Sequence, residues 1–226
     1  MTNFEIYTYM KARKGGGSSE DSAVLDSLIN RSITQISNDR VTAIGQYAFY
    51  HSMLTTANFP LVVETGIQAF GSCEELKTVN MPLLSNMGKS TFSSCPWLQA
   101  VILPSLTSIP DYAFYKCTRL TTINLPLVIS IGEMVFYHCL GLTTINLPLV
   151  VSIGKDAFNG CSTLRKVILS KNQVVALDST SAFYDTLIRL GTGYIYVPDE
   201  LVENYKVATN WVLYADRIKG ISELEE

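Results

Sequence analysis

Cysteine stands at positions 73, 95, 117, 139 and 161, always 22 residues apart. Thiols in such a series could bridge, bind zinc or act as nucleophiles. A tetrahedral zinc site needs four converging ligands, and the chain has no Cys-x-x-Cys pair. Thiols repeated on a repeated backbone run parallel instead of converging, which does not suit a disulfide. Each cysteine falls where the repeat needs a small apolar side chain, a place that a buried free cysteine fills as a hydrophobe. The histidines, His51 and His138, share one slot of the repeat, four units apart. At about 4.8 Å per stacked strand they are roughly 20 Å apart, so they share neither a metal nor a proton and read as solvated loop positions. No Ser-His-Asp set, Walker loop or Gly-x-Gly-x-x-Gly run is present. Gly15, Gly16 and Gly17 are followed by serines and acids, the composition of a linker. The expectation is a protein with no catalytic residue, metal or cofactor, not an enzyme.

What positions these residues is a repeat. Phe recurs at 49, 70, 92, 114, 136 and 158, Pro at 60, 82, 104, 126 and 148, and Leu at 54, 76, 98, 120, 142 and 164. The best-preserved unit, Leu120 to Gly141, reads LTTINLPLVISIGEMVFYHCLG. Ile123 and Leu125 alternate with polar residues, the period of a strand, and Pro126 ends it because proline donates nothing to a ladder. Like units stack like strands, which predicts one parallel sheet of about eight rungs. Ile131-Gly132 is expected to turn the chain, with Phe136 and Cys139 pointing back inward. A parallel β-helix is the alternative, but it needs further strands in each unit, and Ser130-Ile131-Gly132 is short for one.

The ends read as caps hiding the open core. Val24, Leu25, Leu28 and Ile29 have helical spacing, and Asp199 suits the N-cap of a helix carrying Leu201, Val202 and Tyr205. Trp211, Tyr214 and Ile218 continue an apolar cover. Thr2 and Glu5 form a capping box for a short helix with Phe4, Tyr7 and Met10 on one face. The expected organisation is an attachment segment over 1–14, a Gly/Ser linker over 15–19, a repeat domain with its caps over 20–219 and an acidic tail over 220–226.

The run Leu-Pro-x-x-x-Ser-Ile-Gly-x-x-x-Phe-x-x-Cys, at Leu125 to Cys139 and Leu147 to Cys161, resembles the BspA-like leucine-rich repeats. Tyr196-Val197-Pro198 and Asn210-Trp211 are similar to that family's terminal cap. The resemblance covers about residues 31 to 219. It implies an α/β repeat solenoid, right-handed and curved, with the parallel sheet on the concave face and helical caps at both ends. It also implies a surface protein that adheres to macromolecules. The 22-residue units are commonly one residue shorter than the family's, and the usual export signal and wall anchor are not visible. A short helix, a glycine linker and such a solenoid are also similar to accessory proteins encoded by phages and prophages.

Net charge is −3, with no dense basic cluster along the sequence, so nucleic acid is not the expected partner. No apolar run reaches membrane-span length, and no secretory signal opens the chain. The expected location is the cytoplasm before assembly, then a virion or host-cell surface. What remains for function is surface. Thr56 and Asn58, Thr78 and Asn80, Thr122 and Asn124, and Thr144 and Asn146 flank the inward strand residues, with an apolar spot at Ala100 and Ile102. They read either as a partner-binding face or as a self-satisfied ladder holding the strands in register. A column of Tyr50, Tyr115, Tyr137 and Tyr184 is a second candidate. The expected function is non-catalytic recognition of a protein or glycan, with Phe4, Tyr7 and Met10 attaching the solenoid to a virion or oligomer partner. A structural spacer and a secreted bacterial adhesin are the alternatives.

Overall fold

The computed structural model describes residues 34–37 and 39–224. Each unit contributes a three-residue strand at the expected place, and these pair in parallel with matched positions in register, as Thr56↔Thr78 and Asn58↔Asn80. The strands are Gln35–Ser37, Thr56–Asn58, Thr78–Asn80, Ala100–Ile102, Thr122–Asn124, Thr144–Asn146 and Lys166–Ile168, followed by Tyr194–Val197 and Ile218–Gly220. The last strand was expected only as apolar cover around Ile218; it pairs instead with Tyr194–Val197, Ile195 opposite Ile218. The middle residue of each repeat strand points inward: Ala57, Val79, Val101, Ile145 and Val167 are buried.

The single sheet that the repeat predicts is divided in two. One ladder runs from Gln35–Ser37 to Thr122–Asn124, the other from Thr144–Asn146 to Ile218–Gly220, with no pairing between them. The residue after the strand donates to the next unit at Phe59, to Asn80 O, and at Leu147, to Ile168 O, both at 2.9 Å, but among the described residues not at Met81 or Leu103. Among the described residues Leu125 makes no such bond, and Ile123 is only half-buried.

Ser130-Ile131 is a strand, where a turn was expected. It belongs to a second parallel sheet formed by Ser108–Ile109, Ser130–Ile131, Ser152–Ile153 and Ala176–Leu177. This sheet is continuous where the first is broken, since Ser130 pairs with Ser152. Gly132 serves close approach: a Cβ on Gly154 would lie 2.5 Å from the Gly132 carbonyl carbon. The third leg is not helical. It is a run of turns whose N–H groups bond alternately to the next unit and within their own. Tyr112, Phe114 and Lys116 donate to Glu133, Val135 and Tyr137 at 2.8–3.0 Å, while Ala113, Tyr115 and Cys117 donate to Pro110, Tyr112 and Phe114 at 3.1–3.3 Å. That path requires left-handed φ twice per unit, as at Tyr112 (59°) and Lys116 (56°). His51 and His138 occupy the second of these positions, at 57° and 56°. His51 is exposed, but His138 is half-buried instead of solvated, its ring lying where a Cβ on Gly160 would fall.

Inside the three legs the phenylalanines form one stack. Phe70–Phe92, Phe92–Phe114, Phe114–Phe136, Phe136–Phe158 and Phe158–Phe183 have centroids 5.3–5.6 Å apart and planes within 20° of parallel. Trp211 and Tyr214 close the C-terminal end against Phe183, at 6.0 and 5.5 Å. Trp211 Nε1 donates to Val175 O at 2.6 Å and the Tyr214 hydroxyl donates to Thr180 O, so buried polar tips are satisfied.

Among the described residues this cap holds the one α-helix, the six-residue Val202–Val207. The cap is otherwise built of 3-10 turns, so the expectation of helical caps at both ends is met only by this short element, and the Val24 to Ile29 pattern lies outside the described residues. Asp199 is not the helix N-cap: Leu201 is, without a side-chain bond. The Asp199 carboxylate instead accepts from Ser222 N–H at 3.2 Å and Ser222 Oγ–H at 2.9 Å, tying the last turn to the one that follows Tyr194–Val197.

Candidate partner-binding surface

The five cysteines are free and buried. Cys95, Cys117, Cys139 and Cys161 each donate to a phenylalanine carbonyl of the preceding unit, at Phe70, Phe92, Phe114 and Phe136, over 2.9–3.2 Å. Burial pushes the Cys117 and Cys161 thiols up to about 12, and those of Cys95 and Cys139 well above their ordinary value. Thiols held protonated this strongly are poor nucleophiles and ligands. Ser52 takes the cysteine slot of the first described unit and lies 3.1 Å from Cys73 Sγ. No group of three or more His, Cys, Asp or Glu among the described residues could hold a metal ion.

The threonine and asparagine columns face outward, as the alternation requires. Thr78, Asn80, Thr122, Asn124, Thr144 and Asn146 are exposed, and Thr56 and Asn58 half-buried. Ile102 is 54% exposed, an apolar spot between the polar pairs. The columns are not uniform. Asn80 Nδ2 donates to Asn58 Oδ1 at 2.8 Å, and Asn58 Nδ2 to Ser37 Oγ at 2.9 Å. The Asn124 and Asn146 amides make no side-chain hydrogen bond to any described residue. These two flank the break between the ladders. The four residues from Thr122 to Asn146 therefore lie on one side of the solenoid but on separate sheets.

In the tyrosine column only Tyr115 and Tyr137 stack, with centroids 5.1 Å apart. Tyr50 packs against the next unit at Gly71, and Tyr184 is exposed. Phe4, Tyr7 and Met10 lie outside the described residues.

Two further surfaces escaped the sequence reading. Leu61, Leu83, Leu127 and Leu149 each follow the repeat proline and are exposed, an apolar ridge that the 22-residue period could have revealed. The second gathers on Tyr194: Lys219 Nζ lies 4.4 Å and Arg217 Cζ 5.5 Å from its ring centroid. No spacing in the sequence announces that cluster, because it depends on the pairing of the last strand.

The BspA type leucine rich repeat region matches in six copies, over residues 27–105 and 85–195. Among solved structures, a leucine-rich repeat protein from Bacteroides ovatus is similar at 26% identity and a TM-score of 0.65, over 80% of this chain and 46% of that one. The leucine-rich repeat protein of T. pallidum is similar at 25% identity and a TM-score of 0.51, over 72% of this chain and 77% of that one. The chain thus spans about half the length of the Bacteroides protein. No curated protein is detectably similar in sequence. Six family units, stacked as parallel strands around one column of rings, make this chain a member of the BspA-type leucine-rich repeat family.

Proposed function

We propose that this chain is a non-catalytic recognition protein. It binds a protein or glycan partner through the outward face at Thr122, Asn124, Thr144 and Asn146, and residues 1–14 attach it to a cell or virion surface. The family is one of generally non-catalytic repeats that bind partners, and rigid solenoids offer extended binding surfaces. The observation that carries the reading is the contrast within one column. Asn80 donates to Asn58 and Asn58 to Ser37, while Asn124 and Asn146 stand exposed with amide groups that bond to no described side chain. The Ser37–Asn58–Asn80 chain of bonds favours a register role for the first part of the column.

The test separates the two halves of the proposal. Deleting residues 1–14 is expected to leave the melting curve of the solenoid unchanged and to abolish surface assembly. Asn124→Asp together with Asn146→Asp is expected to retain assembly and lose binding on a glycan and cell-surface protein array. Retained binding by that double variant refutes the face as the site and moves attention to the tyrosine column. Unfolding of the truncated protein makes the segment part of the fold.

A further inference from the structure

Along the two ladders of the first leg the positions that flank the inward residues form two columns, one from Gln35 through Thr122 and Lys166 to Tyr194, the other from Ser37 through Asn124 and Ile168 to Lys219, in which Tyr196 is buried. Arg217 precedes the registered pair Ile195↔Ile218 and so falls opposite Tyr194. The chain has 20 acids against 17 bases, yet no described position of either column is a carboxylate. Their cations cluster at one end: Lys166 and Lys219 lie on the strands paired on either side of Tyr194–Val197, and Arg217 immediately precedes the last strand.

The geometry points to a binding site for an anionic glycan, one bearing carboxylates or sulfates, on this C-terminal end of the open face. It rests on the reading of that face as a recognition surface and names its ligand class. Arg217 and Lys219 are held over the Tyr194 ring, whose quadrupole attracts a cation without cancelling its charge. Arg217 Nη1 donates to Gly191 O at 2.6 Å. No described carboxylate lies within 4.0 Å of its guanidinium, which keeps further N–H donors for an anion. Among the described residues Lys219 has one competing partner, the exposed carboxylate of Glu223 at 3.5 Å. Lys166 stands opposite Tyr194 on the adjacent strand.

One strand further, Thr144 and Asn146 offer exposed hydroxyl and amide groups. A linear polymer crossing from Lys219 to Asn146 spans three strand spacings, about 14 Å. It meets cations and an aromatic ring first, then uncharged donors and acceptors. That order suits a hydroxylated chain with spaced anionic groups, whose hydroxyls can both donate to and accept from the threonine and asparagine groups.

The full chain is tested by biolayer interferometry on immobilised heparin, polygalacturonate, neutral dextran and polyglutamate. Binding to heparin, polygalacturonate or both is expected, distinguishing sulfate from carboxylate, and it should weaken with salt as exposed charge pairs do. Lys219→Gln removes one charge-assisted bond and is expected to weaken binding by about tenfold. Glu223→Gln frees Lys219 and is expected to tighten it, a gain that a merely structural role does not produce. Melting curves of both variants should match the parent. Absence of binding to both anionic glycans, or equal binding to polyglutamate, overturns the proposal. Should Asn124→Asp/Asn146→Asp abolish array binding while neither anionic glycan binds, the open face stands as the recognition surface and the anionic class falls.

Discussion

Each repeat cysteine serves as a small hydrophobe that also donates a weak hydrogen bond. Its sulfur sits against the phenylalanine carbonyl one unit back, and some of these carbonyls also accept a backbone bond, as Phe114 O does from Cys117 N–H beside Cys139 Sγ. The consequence is alkaline lability. The folded Cys117 and Cys161 hold their protons to about 12 against an ordinary 9.0, because burial disfavours the thiolate. Burial likewise holds Tyr205 to about 12 against 10.0. The unfolded chain releases these protons first, so stability is fully present below about pH 9 and falls as pH rises towards 12. Melting temperatures across that range should decline more steeply than those of a variant with Cys117→Ala and Cys161→Ala. Thiol titration should find none of the five reactive in native protein and all five after unfolding. A second residue-scale feature is the left-handed slot two residues after each phenylalanine. Ser94 holds φ 58° there, a conformation costing a non-glycine residue about 1–2 kcal/mol. Ser94→Gly is therefore expected to be neutral or stabilising by up to about 1 kcal/mol in denaturant melts, opposite to the usual cost of glycine in a regular element.

At the scale of elements, three legs stack by three different means. The first is a pleated strand, the second a two-residue strand beside a glycine, and the third a ladder of turns. The glycine of the second leg tolerates no side chain. A Cβ on Gly154 meets backbone of the unit below at 2.5–2.8 Å, not the end of a mobile side chain. Gly154→Ala should destabilise by about 1–3 kcal/mol, the range for overpacking a filled site, and a chemical melt indistinguishable from the parent would show that the legs can separate. Only the first leg was readable in sequence. Ile123 and Leu125 alternate across polar neighbours before a proline, and three residues suffice to show a period. Ser130-Ile131 is too short to carry one, and the turn ladder is written in backbone conformations that Tyr112, Lys116 and His138 adopt without any shared side-chain chemistry. Asp199 was misread because an acid before a helical pattern suits an N-cap, whereas its partner Ser222 lies 23 residues away.

Across the whole molecule the outward polar columns were legible, but the break beneath them was not. The stretch Leu120 to Val128 and the stretch Leu142 to Val150 are both LTTINLPLV, so the residues that fail to pair cannot themselves explain the failure. The lead-ins do differ. Gly141 stands where the neighbouring units carry Arg119 and Thr163, and a Cβ there would lie 3.0 Å from Leu120 O, closer contact than ordinary packing. In hydrogen exchange the Leu125 amide should therefore exchange faster than those of Phe59 and Leu147, which are bonded across to the next unit. Equal protection at the three positions would mean that the ladders are joined in solution.

The column of parallel rings also has a genetic meaning. Every unit offers the same Phe face above and below, as Phe114 does to Phe92 and Phe136 at 5.6 Å each. Loss of residues 120–141 would seat Phe114 beneath Phe158 with the period unbroken, and duplication would insert one more ring. Stretches as alike as Leu120 to Val128 and Leu142 to Val150 are where replication slippage and unequal recombination act. Such a gene can change length in steps of 22 codons without an unfolded intermediate genotype. The reach of the solenoid, and so the distance at which it meets a partner, is then a heritable quantity set by copy number. A protein lacking residues 120–141 should still melt cooperatively.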